Sequence, residues 1–374
     1  MDCLHIEKAI TFIAKGIREK ENIEVSKRTP YYYSKDLQRG INMFLWAAFS
    51  MGGVGKNVYA YADEYAFLKK FICLPIREWF VDWSEESQRR LQLENEYFYY
   101  LEALAYRVGC DDVYMASEDC YDYLNRQESN IIESLDERSV YNRLKELSQE
   151  QYVEVRRFLI QNPIATEETR REFIPKIAES PAAKDVIGIA YERFYESVYR
   201  CPTCGWTLKR TANGYVCHSQ YCTENLPTLT DGMVIDGAQD KIYRLKKGVM
   251  RYIASPGKLE MEIVAFCKKN GIEYALWPQK DRYDVEIKFS NGDIWEIDAK
   301  AVRNPQILSA KIEKDGGFPS GDYEKGFFVI PTDYVKGKRN YTSIVNQGLK
   351  AQKNVKCITF ATLKKYITEK VKQL

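Results

Sequence analysis

The segment from Tyr283 to Lys300 constrains this chain most. Tyr283, Val285, Ile287 and Phe289 alternate with Asp284, Glu286 and Lys288, and further on Trp295, Ile297 and Ala299 alternate with Glu296, Asp298 and Lys300. Alternation at period two marks a strand with one buried face. Ser290-Asn291-Gly292 lies between the two runs and reads as a hairpin turn. The length of that turn decides the chemistry. A two-residue Asn-Gly loop would set Val285 opposite Asp298 and mix apolar with polar residues on both faces. A three-residue loop, with Gly292 left-handed and bulged, sets Val285 opposite Ile297, Ile287 opposite Trp295 and Asp284 opposite Asp298. A slip of one residue turns every side chain to the other face, so burial selects the three-residue loop. The same choice gathers Asp284, Asp298 and Lys300 on one face.

Two carboxylates directly opposite each other repel. A divalent cation between them removes the conflict, and Mg²⁺ takes one or two carboxylates together with waters and substrate phosphate. Lys300, two residues along the same face, would meet charge developing on a phosphate or orient an attacking water. Taken alone, the hairpin fits equally well an amphipathic ribbon with solvated charges. Its surroundings favour the first reading. Ser255 and Pro256 predict the N-cap and first position of a helix that runs from Leu259 to Lys269. Glu260 lies beside the apolar stripe of Leu259, Ile263 and Phe266, within reach of the hairpin's polar face. Downstream, the pattern predicts a strand over 326–331, a helix around 341–352, a strand over 355–360 and a final helix from Thr362. Residues 240–374 hold 26 Lys and Arg against 16 Asp and Glu, net +10, which leaves −8 on residues 1–239. A basic C-terminal module suits a polyanionic substrate. The acidic remainder suits shielding or a protein partner.

Cys201 and Cys204, then Cys217 and Cys222, form two short-spaced pairs separated by twelve residues. Four thiolates at this spacing match a zinc ribbon, with strands over 206–210 and 215–217 and a turn at Ala212-Asn213-Gly214. A closed tetrahedral site leaves no position for water, so this Zn²⁺ is expected to be structural. His218 is a possible substitute ligand, but four cysteines suffice. Lys209 and Arg210 could touch nucleic acid or form a solvated strand edge. The other six cysteines are scattered and read as small apolar residues. The first twenty residues mix Asp2, Glu7, Lys8 and Lys15 into their apolar positions, as an amphipathic helix does and a signal peptide does not. No apolar run approaches the roughly 20 residues of a membrane span, so a cytoplasmic location without membrane contact is expected.

Helical spacing dominates residues 1–200: Ile6, Ile10, Ile13 and Ile17; Leu91, Phe98, Leu101 and Leu104; Leu144, Leu147, Val155 and Phe158. The tyrosines at 31–33, 97, 99 and 100 can stack on bases, although such residues on helices more often serve a core. The string Gly52-Gly53-Val54-Gly55-Lys56 is excluded as a phosphate loop. Ser50 and Asn57 stand where a glycine and a Ser or Thr are required, and the segment before it reads as helix. These patterns predict an α+β multidomain chain: a helical domain over 1–199, a zinc ribbon over 200–228, a linker over 229–240 and an α/β core over 241–374.

The helix–hairpin–strand–helix–strand order of that core is similar to the restriction-endonuclease fold of PD-(D/E)xK nucleases. The signature falls on Glu260, Asp284 and Asp298-Ala299-Lys300. The run Tyr243 to Gly257, Leu276-Trp277-Pro278, Tyr283-Asp284, Trp295 to Lys300 and Asn304-Pro305 resemble a narrower family. These are the restriction-endonuclease-like proteins associated with predicted PIWI-type (Argonaute-like) pPIWI-RE modules, over about residues 200–374. The resemblance implies an Mg²⁺- or Mn²⁺-dependent endonuclease that hydrolyses DNA phosphodiesters in bacterial antiphage or anti-plasmid defence, with an Argonaute-like protein and a helicase as partners. It implies that Asp284 and Asp298 bind the metal with the Ala299 carbonyl, that Glu260 supports the metal or its water, and that Lys300 is base or electrostatic stabiliser. The second acid is Asp where many relatives have Glu. Glu262 competes for the helix-acid role, and Glu286 and Glu296 share the polar face. The alternative is a non-catalytic nucleic-acid-binding or scaffold subunit with an inactive core.

Overall fold

The structure is a computed structural model. It describes residues 3–22, 34–50, 58–93, 97–108, 113–127, 132–177, 179–195, 197–211, 214–225, 234–235, 241–336, 338 and 340–374. The chain is a mixed α+β protein that divides into two packing units, Met1–Ile131 with Leu208–Gly232, and Ile132–Thr207 with Met233–Leu374. No helix among the described residues is long and apolar enough to cross a membrane.

In the first unit, the helix Cys3–Asn22 packs on the helix Lys35–Ser50 and buries Ile6, Ile10, Ile13 and Ile17. A Cβ at Gly40 would lie 2.6 Å from the Ile13 backbone nitrogen, so this close approach requires glycine. Phe44, Phe67, Trp79, Phe80 and Trp83 are buried and meet largely edge-on or tilted, and Tyr99 stacks on Phe80. These rings build the core. Tyr31–Tyr33 and the 52–56 string lie outside the described residues. The helical run expected through Leu91, Phe98, Leu101 and Leu104 is broken. A helix ends at Leu93, a 3₁₀ turn covers Tyr97–Tyr100, and a strand Ala105–Val108 pairs with Val113–Ala116. All four residues are still buried. Their spacing reflects packing rather than a continuous helix.

The second unit takes in residues 132–207, of which the sequence pattern places 132–199 with the N-terminal helices and 200–207 in the zinc ribbon. Helix α1, Ile132–Glu146, is followed by α2, Gln149–Gln161. A reciprocal capping box of Ser148 and Gln151 starts α2. The buried face of α2 presents Tyr152, Val155, Phe158 and Leu159, with Arg156 among them. Further on, α3 occupies Ser255–Lys269. Ser255 is not its cap: the chain is already helical from Lys247 and passes through a π-type turn at Met250–Ala254. Pro256 has no N–H to donate and its ring crowds the carbonyl four residues back; the wider turn absorbs both.

Five strands follow: β1 Glu273–Leu276, β2 Val285–Lys288, β3 Ile294–Ala299, β4 Lys325–Ile330 and β5 Val355–Thr359. They form one sheet in that order, antiparallel from β1 to β3 and parallel from β3 to β5. Helices α4 Pro305–Lys314, α5 Tyr341–Gly348 and α6 Phe360–Gln373 connect and close it. The sequence pattern does not pick out β1 or α4. The hairpin follows the three-residue turn: Val285 faces Ile297 and Ile287 faces Trp295. Phe289 N–H donates to Asp293 O at 2.9 Å, Gly292 N–H donates to Phe289 O at 2.9 Å, and Gly292 has φ +90°. Val285, Ile287, Trp295 and Ile297 are all buried, so the core has selected the register.

Candidate active site

Asp284 lies one residue before β2, Asp298 near the end of β3 and Lys300 just beyond it. The direct pairing expected between the two aspartates does not form. Asp284 N–H donates to Ile297 O at 2.9 Å, although Ile297 already faces Val285, so the ladder ends in a bulge. The bulge carries the Asp284 carboxylate to the backbone of β3, where Oδ2 accepts the Ala299 N–H at 2.6 Å. This relieves the clash of two carboxylates placed face to face. Asp298 Oδ1 pairs with Lys300 Nζ at 2.7 Å, and Lys300 N–H is fixed to Val329 O at 2.8 Å on β4.

Glu260 projects from the first turns of α3 and is 2% exposed. Both its oxygens accept from Arg156 Nη2, at 3.1 and 3.2 Å, and Oε2 also accepts from the Trp277 indole N–H. Arg156 comes from α2 and is a residue that sequence reasoning missed. Its Nη1 donates to Tyr152 Oη at 2.9 Å and pairs with Asp281, its Nη2 lies 3.9 Å from Asp284 Oδ1, and its guanidinium sits 4.6 Å from the Trp277 ring centre. An arginine inside the apolar stripe of α2 was the available signal. Asp281 was missed as well. Its Oδ2 accepts the Tyr141 hydroxyl at 3.2 Å.

The structure therefore brings Glu260, Asp284, Asp298, Ala299 and Lys300 into one neighbourhood. It leaves Glu262 on the exposed side of α3. Glu286 faces Glu296 across the hairpin and pairs with Lys288 at 3.1 Å. Four carboxylates, of Glu260, Asp281, Asp284 and Asp298, meet two cations, Arg156 and Lys300, which leaves a formal deficit of two positive charges. Burial, then the carboxylates of Glu260, Asp298 and Asp281, hold the Asp284 carboxyl well above the ordinary carboxylate range, and Arg156 only partly offsets them. Burial also raises Glu260. Burial opposes the charge on Lys300, but Asp298 and Asp284 outweigh it and raise its pKa. Such an acid-rich, half-enclosed centre with oxygen donors only suits a hard divalent cation in charge and chemistry. The carboxylates are not drawn into a tight cage, however. Among the described residues, the one group of three or more ligand atoms within 4.8 Å of one another is the cysteine cluster.

In that cluster Cys201, Cys204, Cys217 and Cys222 are all buried, and their four sulfurs could hold zinc. Cys201 Sγ accepts the Cys204 N–H at 3.5 Å, and Cys217 Sγ accepts the Ser219 N–H at 3.4 Å. Strands Leu208–Thr211 and Gly214–Cys217 pair as a hairpin, while residues 212 and 213 of the expected turn lie outside the described residues. Lys209 Nζ donates to the Glu21 carbonyl at 2.8 Å, so it is anchored within its own unit.

Residues 257–374 match the model of a family described as "REase associating with pPIWI_RE". Over this REase segment the chain is similar to that family. No curated protein and no solved structure matches the chain. The REase segment begins inside α3, runs to the end of α6 and contains Glu260, Asp281, Asp284, Asp298 and Lys300. Arg156, Tyr152 and Tyr141, which also build the centre, lie outside it.

Proposed function

We propose that this protein is a metal-dependent endonuclease that hydrolyses phosphodiesters of nucleic acid, DNA in the first instance, within an antiphage or anti-plasmid system. It would work beside a PIWI-like partner, with a helicase as a further component. The family description supports the nuclease class and the PIWI-type association. The observation that carries the chemistry is the convergence of Glu260, Asp284, Asp298 and Lys300 at the sheet's bulged hairpin, with two more negative than positive charges.

In this reading Asp284 and Asp298 would hold Mg²⁺ or Mn²⁺, with the Ala299 carbonyl as a further ligand and Glu260 in support from α3. A bound divalent ion supplies Lewis-acid polarisation of the phosphate and a more acidic water. The Ala299 N–H fixes the rotamer of Asp284. Lys300, held by Asp298, would stabilise electrostatically the charge that develops on a phosphate oxygen. The cysteine cluster is assigned a structural Zn²⁺, and the basic 240–374 region contributes sequence-independent attraction for the phosphate backbone.

Plasmid and single-strand cleavage in Mg²⁺ or Mn²⁺, comparing the full chain with Asp298→Ala and Lys300→Ala, tests the assignment. The aspartate variant should be inactive, and the lysine variant should lose about 10²–10³ in rate. Equal cleavage by wild type and variants would refute the site. A second reading, a binding or scaffold subunit with an inert core, is favoured by one observation: both oxygens of Glu260 are already occupied by Arg156. Absence of cleavage by the wild type, alone and with its partner complex, would select it.

A further inference from the structure

Helices α1 and α2 lie outside the REase segment, yet they grip its centre at several points. Gln149 Nε2 donates to Trp277 O at 2.9 Å, and Gln149 Oε1 accepts the Lys280 N–H at 2.9 Å. Lys280 Nζ donates to Lys145 O at 2.9 Å, Tyr141 holds Asp281, and Arg156 holds Glu260 and Asp281. The gripped segment is strained. Trp277, Gln279, Lys280 and Asp281 have φ of +50°, +53°, +54° and +78°, in a region that side chains other than glycine's avoid. Such conformations persist only when their surroundings over-determine them, and they cluster at functional sites. Here the surroundings that over-determine them are α1 and α2.

We propose that Arg156 is a positioning residue of the carboxylate centre, a built-in counter-ion that holds Glu260, Asp281 and Asp284 and must loosen that hold when a divalent cation enters. Through it, α1 and α2 set the metal affinity of a centre whose acids all belong to the REase segment. The inference rests on reading that centre as metal-binding. Arg156 is buried between α2 and the Trp277 indole, and a guanidinium cannot shed its proton at any working pH. Its positive charge therefore competes with any cation placed between Asp284 and Asp298. A competing charge within a few ångströms, in a partly desolvated site, weakens cation binding by about tenfold or more. Its removal should tighten metal binding even as it leaves three acids without their partner. A residue acting only as a structural strut would give the opposite sign, since loosening a site weakens its ligand.

The test is Mn²⁺ affinity of the full, zinc-loaded chain without nucleic acid, measured calorimetrically for wild type, Arg156→Lys and Arg156→Gln. Mg²⁺-dependent tryptophan emission gives a second readout, assigned by its loss in Trp277→Phe. Arg156→Gln should bind Mn²⁺ about ten times more tightly than wild type. Arg156→Lys, which keeps the charge but not the two-pronged grip, should fall between them. Wild type should show a Mg²⁺-dependent emission change as the guanidinium and Glu260 shift beside Trp277. Equal or weaker Mn²⁺ binding by Arg156→Gln would overturn the proposal. Should that variant not fold, equal or weaker Mn²⁺ binding by Arg156→Met, which removes the same charge, would do the same. No Mn²⁺ binding by any of the three would instead overturn the metal-centre reading on which the proposal depends.

Discussion

The strained segment after β1 yields a prediction with an unusual sign: replacing Gln279 by glycine should stabilise the protein. Gln279 has φ +53°, and its side chain is exposed and, among the described residues, engaged only as acceptor from Arg282 Nη1 at 3.0 Å. A left-handed backbone costs a residue with a Cβ about 1–2 kcal/mol. Glycine removes that cost but gives back roughly 0.5–1 kcal/mol through its more flexible unfolded chain. The exposed hydrogen bond is worth a few tenths at most. The net expectation is a gain of about 0.5 kcal/mol, or a rise of one to two degrees in Tm for a unit of this size. Gln279→Val should do the reverse, because a β-branched residue fits this region worst, with a loss of about 1–2 kcal/mol. The assay is thermal unfolding of both variants beside wild type, repeated in urea. The Gly-minus-Val difference, about 2 kcal/mol, exceeds the error of either method. A valine variant as stable as the glycine variant would show that this segment is not held left-handed, and the clamp argument would go with it. Cleavage should move the other way. A relaxed Gln279→Gly segment presents Trp277 and Asp281 less rigidly, so the more stable variant should be the slower enzyme.

The remaining predictions concern single positions. Glu260→Gln should lower cleavage and Mn²⁺ affinity together, whereas Glu262→Gln, on the exposed side of α3, should leave both unchanged and shift stability by no more than about 0.5 kcal/mol; a loss confined to Glu262→Gln would reassign the helix acid. Gly292→Ala forces a Cβ into φ +90° and should cost about 1 kcal/mol in thermal unfolding; a neutral result would mean the turn is not the three-residue type. Metal analysis should find about one zinc per chain, lost in Cys204→Ser, and zinc retained at full occupancy in that variant would remove Cys204 from the ligand set.

The sequence by itself determined the hairpin and its register. Only one turn length buries Val285, Ile287, Trp295 and Ile297 together, and period-two alternation is a local property that needs no distant partner. It likewise determined the four-cysteine cluster, because short ligand spacings are written along the chain. What it did not determine is how the two aspartates meet. Their mutual repulsion is answered by a bulge, and that answer depends on the Ala299 N–H donating to the Asp284 carboxylate. Nor could it determine Arg156. That side chain stands 104 residues before Glu260 and 125 before Asp281, and its spacing is that of any amphipathic helix. Only packing α2 against the REase segment shows that an arginine on an apolar face has met three acids. Strain at Trp277–Asp281 belongs to the same class. No local pattern favours left-handed Gln279, Lys280 and Asp281, and the segment persists because Gln149 and Lys145 hold Lys280 and Tyr141 holds Asp281 from elsewhere. Periodicity reports which face is buried; only the tertiary structure decides which charges are buried with it.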